Sequence, residues 1–214
     1  MAHAGSQSRP RAAGGRGYPR LVHSGGGGAS DRRAGNAVLG MLVLIGSEAM
    51  LFAALISAYL VLRAGAEAWP PPGQPRLPLA ITAVNTGVLL LSGITMWLAL
   101  RAARLTRVVS CRRWLVITLA LGALFLAVQG GEWARLIGYG LRITSGTYGG
   151  MFYTVIGTHA LHVVAAIVVL GVVLWRGRRG PFAVERQTDV EVGSLFWMFV
   201  VAVWPVLYVL VYLL

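Results

Sequence analysis

The sequence has 214 residues, of which 57% are hydrophobic and 12% are charged. Soluble domains carry roughly 25% charged residues, so this composition excludes an ordinary soluble globular protein. The net charge of +12 raises nucleic-acid binding as a hypothesis. However, all 19 basic residues are arginines that lie in the connections between apolar segments, not on one folded face. This distribution favours a role in membrane orientation, and we predict no nucleic-acid partner.

Residues 1–35 are rich in glycine, arginine and serine, with a glycine run at 25–28 and Asp31 as the single acid. Because such a segment cannot bury an apolar core, we predict a disordered tail over residues 1–35. An organellar transit peptide is an alternative. The glycines, with Pro10 and Pro19, disfavour the amphipathic helix that such peptides form.

Five long apolar stretches follow, at about 38–62, 79–100, 114–133, 151–175 and 195–214. Each is close to the ~20 residues that cross a hydrocarbon layer of about 30 Å as an α-helix. They are apolar on nearly all sides, whereas a helix of a soluble bundle keeps a polar face for water. We therefore predict an all-α integral membrane domain over residues 36–214, a bundle of five transmembrane helices.

The arginines also predict the orientation of this bundle. Fifteen lie in the tail and in the connections after the second and fourth stretches, and four lie in the other two connections. Cytoplasmic segments of membrane proteins are enriched in Lys and Arg, so the N-terminus is expected in the cytoplasm and the C-terminus outside.

Polar side chains are costly to place in the hydrocarbon layer, so each one inside an apolar stretch requires an explanation. Glu48 lies in the middle of the first, where an acid costs about 2.5–3.5 kcal/mol, so we expect it to be protonated or hydrogen-bonded to another helix. A proton or lipid-headgroup site and a helix–helix contact both remain open. Asn85, in the second stretch, predicts helix packing. Glu132 ends the third stretch, near enough to the outer surface that we expect it to be hydrated.

His159 and His162 are three residues apart in the fourth stretch and share one helix face. A bis-histidine haem needs a histidine on a facing helix, and a di-iron bundle needs Glu-x-x-His pairs; the sequence has neither. The single cysteine, Cys111, excludes a cysteine-based zinc site. We predict no metal or haem ligand in this chain, and expect the histidines to make packing hydrogen bonds or a contact with Glu48.

Trp197, Trp204 and Tyr208 form an aromatic stripe in the last stretch, at steps of seven and four residues. Such a stripe is typical of a packing face, and it also fits a surface that faces a protein partner.

Several motifs recur in a fixed order over residues 40–214. The first stretch has Gly-Ser-Glu-Ala-Met-Leu-Phe at 46–52, and the second has Asn-Thr at 85–86 and Ser-Gly at 92–93. The third has Gln129, Glu132 and Trp133, and the fourth has Gly-Thr-His at 157–159 and Leu-His-Val at 161–163. In this order and spacing they resemble subunit III of the haem–copper terminal oxidases, the cytochrome c oxidase subunit III family, in its short five-helix bacterial form.

The resemblance implies an accessory subunit with no redox centre in the bacterial plasma (inner) membrane. It implies packing on subunit I, which holds the haems and copper, within a complex that includes subunit II. It also implies bound phospholipid in a cleft between the helices, and a role in sustaining proton uptake and oxygen reduction. By motif match, Glu48, Glu132 and His159 are the polar interior and cleft residues.

The last helix departs from the family's usual Tyr-Trp-His-Phe-Val-Asp, because residues 196–201 read Phe-Trp-Met-Phe-Val-Val. This difference leaves open whether the electron donor is cytochrome c or quinol. It also keeps an accessory subunit of a nitric oxide reductase as an alternative. A small membrane transporter is a third hypothesis, disfavoured because the sequence shows neither a polar midplane path nor an inverted repeat.

Overall fold

The structure is a computed structural model that describes residues 27–72, 78–177 and 184–213, with side chains described for 32–72, 78–177 and 187–213. These residues form five helices: α1 (Gly27–Ala64), α2 (Leu79–Arg104), α3 (Val108–Gly138), α4 (Gly146–Arg176) and α5 (Val184–Tyr208). A π-helical turn, Val209–Leu213, continues α5. All five helices are long and apolar enough to cross a membrane. The predicted five-helix membrane bundle is confirmed.

The helices extend beyond the apolar stretches. Helix α3, for example, covers Val108–Gly138 where hydropathy predicted 114–133. Arginine is a good helix former, so backbone hydrogen bonding continues through the arginines that flank a membrane-buried stretch. Helix α1 begins at Gly27, inside the segment of residues 1–35 that was predicted as a tail. The rest of the predicted tail, residues 1–26, lies outside the described residues.

Four helices form a ring. Helix α2 packs against α3 and α5, and α4 packs against the same two helices from the other side. Helix α1 lies outside the ring and contacts α5 and α4. In the most apolar part of each helix, 44% of the α5 residues but 6% of the α1 residues are buried within the chain. Helix α5 is therefore central, and α1 is peripheral.

Close contacts at small residues let the helices approach. A Cβ at Gly122 of α3 would overlap Cη2 of Trp197 in α5, and a Cβ at Gly93 of α2 would lie 3.2 Å from Cγ1 of Val201. In lipid, association depends on such packing because the hydrocarbon is as apolar as the side chains. Gly122 thus leaves room for the Trp197 side chain beside α3, and Gly93 lets α2 approach α5 closely.

The aromatic stripe of α5 faces the chain's own bundle. Trp197 and Trp204 are fully buried, so the hypothesis that they face a partner was wrong, and the packing-face alternative holds. Their indole Nε1–H groups donate to Ser92 Oγ at 3.2 Å and to Thr86 Oγ1 at 2.9 Å. A buried indole N–H needs an acceptor, and α2 provides both. Tyr208 is half-buried and stays a candidate for partner contact.

Candidate functional site: two polar groups within the bundle

Two groups of polar side chains in the described helices contain a membrane acid. One is the pair of Glu48 in α1 and His162 in α4. The other lies nearer the α3–α4 connection, where Glu132 of α3 meets α2 and the end of α5. The geometry of each group limits where protons can be placed.

Glu48 and His162 share one hydrogen bond, with Oε2 of the acid 2.8 Å from Nε2 of the ring. The other ring nitrogen, Nδ1, is 2.7 Å from the carbonyl oxygen of Thr158. A carbonyl can only accept, so Nδ1 carries a hydrogen. The bond to Glu48 therefore contains one proton, held either by the carboxyl or by the ring. In both cases the net charge of the pair is zero, which makes it compatible with a hydrocarbon environment.

The pair is partly exposed at the surface of the bundle. The side chain of His162 is 13% accessible and that of Glu48 is 24% accessible, while the ring of Phe52 lies 5.1 Å from the His162 ring. Glu48 is 16 residues from each end of the α1 span Arg32–Ala64, about 24 Å along the helix. At this position the pair can contact the lipid or the protein partner that covers α1 at mid-membrane.

His159 does not join this pair. The expected histidine contact with Glu48 is made by His162, whereas His159 is fully buried among aromatic rings. Its ring centroid lies 4.9 Å from that of Trp204 and 6.2 Å from that of Phe125. Neither of its ring nitrogens has a hydrogen-bond partner among the described residues.

Glu132 is buried, contrary to the expectation that it is hydrated. It is 3% exposed, lies six residues before the end of α3 and faces α2, where its Oε2 is 2.8 Å from Thr82 Oγ1. The helix continues past Glu132 to Gly138, which places the acid inside the bundle and not at its end. Asn85 has the predicted packing role, because its Nδ2 donates to the carbonyl oxygen of Phe125 at 3.1 Å.

Tyr212 completes this second group, and the sequence analysis did not select it as a site residue. Gln129 Nε2 donates to its hydroxyl at 3.3 Å, which joins α3 to the π-helical turn. The sequence does indicate that Tyr212 faces the same way as the aromatic stripe, because it follows Tyr208 by four residues and extends the stripe by one turn.

The second group has more hydrogen-bonding capacity than the described residues use. Buried atoms without a partner there include Asn85 Oδ1, Gln129 Oε1, Glu132 Oε1 and Trp133 Nε1. Buried polar atoms normally have partners, often ordered water. No three His, Cys, Asp or Glu side chains of the described residues are grouped so as to hold a metal ion.

A groove of about 670 Å³ lies on the outside of the bundle between α2 and α3. Its walls are mainly aliphatic and include Ile81, Val84 and Leu124, which are all exposed. Arg135 lines it near the end of α3, and Asn85 and Glu132 of the second polar group border its inner side. An apolar groove with one guanidinium has the chemistry to hold an acyl chain below a phosphate.

Comparisons with known proteins agree along most of the chain. The sequence profile of a family described as cytochrome c oxidase subunit III matches residues 30–214. A cytochrome c oxidase subunit 3 of Thermostichus vulcanus is 38% identical over 178 residues, which cover 83% of this chain and 87% of that protein. The protein of the same name from a Synechocystis strain is 35% identical over 178 residues, covering 83% and 75%. A probable cytochrome c oxidase subunit 3 of Nocardia farcinica is 38% identical over 176 residues, covering 81% and 86%.

Proposed function

Since the chain belongs to the cytochrome c oxidase subunit III family, we propose that it is the non-redox accessory subunit of a haem–copper terminal oxidase. In this proposal it packs on subunit I, in a complex with subunit II, and those partners hold the haems and copper. It lies in a bacterial plasma membrane with its N-terminus in the cytoplasm. Its task is to bind phospholipid and to sustain proton uptake and oxygen reduction over many turnovers.

The Glu48–His162 pair is the observation that carries this proposal. It holds one proton at zero net charge, it is partly exposed, and it lies on the peripheral helix α1. A headgroup contact is disfavoured, because headgroups lie near the span ends and the pair lies at the middle. A proton-related role at the face towards the partner subunit or lipid fits the position better.

The groove between α2 and α3 supports the lipid part of the proposal. Its exposed aliphatic walls match an acyl chain, and Arg135 at its end offers a charge-assisted hydrogen bond to a phosphodiester. The site is separate from the Glu48–His162 pair, which lies between α1 and α4. Substitutions in the groove and substitutions in the pair can therefore separate lipid retention from the proton-related function.

We expect Glu48→Ala to leave the subunit inserted and assembled, and to weaken either sustained turnover or lipid retention. The physical reason is that His162 loses the partner with which it shares a proton. Activity decay over repeated turnovers and phospholipid per haem should be measured on the purified complex. Glu67→Ala is the matched control, because Glu67 is an exposed acid in the connection after α1. Unchanged decay together with unchanged lipid content would contradict the proposed role of Glu48.

The altered last helix supports one alternative, an accessory subunit of a nitric oxide reductase. Met198 stands exposed where the family usually has His, and buried Val201 stands where it usually has Asp. Purification in mild detergent separates the hypotheses. Haem absorbance with a co-purifying partner and oxygen consumption supports the oxidase, and the same absorbance with nitric oxide consumption supports the reductase. A colourless protein that purifies alone would reopen the transporter hypothesis.

A further inference from the structure

The hydroxyl of Thr82 stands between two oxygen atoms. Its Oγ1 is 2.9 Å from the carbonyl oxygen of Pro78 and 2.8 Å from Oε2 of Glu132. A threonine hydroxyl has one hydrogen and can donate to only one of them, although it can accept from others. The second short contact therefore needs a hydrogen from somewhere else, and the Pro78 carbonyl has none to give.

The Pro78 carbonyl is the natural acceptor for Thr82. It lies four residues earlier, at the N-cap of α2, and already accepts the backbone N–H of Thr82 at 3.2 Å. Threonine hydroxyls inside helices regularly donate to the carbonyl four residues before them. Thr86 does the same in the next turn, at 2.7 Å from the carbonyl of Thr82. With Thr82 donating to Pro78, Oε2 of Glu132 has to be the donor of the other bond.

The opposite assignment, with Thr82 donating to an ionised Glu132, leaves a poorly supported charge. One carboxylate oxygen would have a single hydrogen bond, and Oε1 is buried without any partner. None of the ion pairs formed by the described residues includes Glu132, and Arg135, one turn further along α3, is exposed. The groups of other helices that interact with the acid, Thr82 and Tyr212, are neutral hydroxyls. A buried carboxylate without a cation costs far more than a neutral acid with one free carbonyl.

We infer that Glu132 carries its proton and acts as a hydrogen-bond donor. A directed chain then runs from Glu132 Oε2–H to Thr82 Oγ1–H and on to the Pro78 carbonyl, and it joins α3 to the first turn of α2. Unlike the Glu48–His162 pair, this acid is only 3% exposed, at the inner side of the groove between α2 and α3. The proton on Glu132 does not depend on which enzyme complex the protein serves.

Infrared difference spectroscopy of the purified complex in lipid nanodiscs tests this assignment. The difference between wild type and Glu132→Gln should contain one lost carboxylic-acid C=O band, because the glutamine amide keeps a donor towards Thr82 but has no acid carbonyl. Glu48→Gln, measured in the same way, identifies any band that belongs to the other membrane acid. Loss of carboxylate stretching bands in Glu132→Gln, with the acid region unchanged, would overturn the inference.

Thr82→Val provides a second test that does not depend on the glutamine variant. Valine has nearly the same shape but cannot accept the proton of Glu132, so the acid band should stay and shift in frequency. A new acid band, absent from wild type, would show that Glu132 was ionised before the substitution and would overturn the inference. An acid region identical to wild type would overturn it as well.

Discussion

At the residue scale, the two membrane acids avoid an uncompensated charge in different ways. Glu48 shares its proton with a histidine and remains partly exposed, whereas Glu132 faces a hydroxyl and is buried. A shared proton can move between a carboxylate and an imidazole, but a threonine hydroxyl is not a base at ordinary pH. Exchange of protons with a neighbour is therefore expected at Glu48, and a structural role is expected at Glu132.

Single glycines of α3 allow a test of side-chain packing at the same scale. We expect Gly122→Ala to destabilise the bundle, because the new Cβ would overlap the indole of Trp197, which is fully buried and cannot move aside. Overpacking of this kind typically costs about 1–3 kcal/mol. The midpoint of thermal unfolding of the purified subunit or complex measures the effect.

Gly130→Ala is the control for Gly122→Ala, since it lies on the same helix and a Cβ there meets nothing within 4 Å. Alanine is the better helix former, so this variant should match or slightly exceed wild type in stability. Equal stability of the two variants would show that the contact with Trp197 does not limit the approach of α3.

At the scale of elements, α2 and α5 are joined by hydrogen bonds from tryptophans to small hydroxyl residues. Trp197 uses Ser92, and Trp204 uses Thr86. Thr95 of α2 makes a similar contact with Thr118 of α3, at 2.8 Å. The hydroxyl residues of α2 therefore meet donors or acceptors on two neighbouring helices, α5 and α3.

We expect Thr86→Val to lower the free energy of unfolding by about 1–3 kcal/mol, because it leaves the Trp204 indole N–H buried without an acceptor. Thermal unfolding measures the loss. Thr154→Val is the control, because Thr154 is exposed and bonds only within its own helix, to the carbonyl of Gly150 at 2.8 Å. In a Trp204→Phe background, Thr86→Val should cost little, and a full loss there would contradict the pairing.

At the scale of the whole molecule, the side with the most arginines also contains two exposed ion pairs. Arg104 and Glu191 join α2 to α5 at 2.9 Å, and Arg176 and Asp189 join α4 to α5 at 3.8 Å. Exposed pairs of this kind contribute at most about 1 kcal/mol each to stability, so they are more informative about where the helix ends lie. They place the start of α5 at a hydrated surface, in agreement with the arginine distribution along the chain.

Cysteine labelling tests the orientation. In a Cys111→Ser background, we expect Tyr139→Cys to react with a membrane-impermeant maleimide on intact cells, because Tyr139 is 74% exposed at the predicted outer end of α3. Val109→Cys, 83% exposed at the other end of α3, should react only after the membrane is opened. The reverse pattern would show that the arginine count gave the wrong orientation.

Much of the candidate site could be predicted because a polar residue in an apolar stretch is visible in the sequence. Glu48, Asn85 and the two histidines were all found in this way. Which histidine meets Glu48 could not be predicted, since His159 and His162 lie on one face and only the packing of α1 on α4 separates them. The burial of Glu132 also depends on tertiary contact, because depth along a helix does not show what lies beside it.

The sequence by itself determined the number and order of the membrane helices, and its motifs pointed to the family, because hydropathy and motif spacing are properties of consecutive residues. The tertiary structure alone decided which side of each helix is buried. A helix that is apolar on all sides has no amphipathic pattern to distinguish protein from lipid. Trp197 and Trp204 are buried because a glycine on α3 leaves space for the Trp197 indole and hydroxyls on α2 accept both indole N–H groups. These contacts join segments that are far apart in the chain, so no local sequence pattern predicts them.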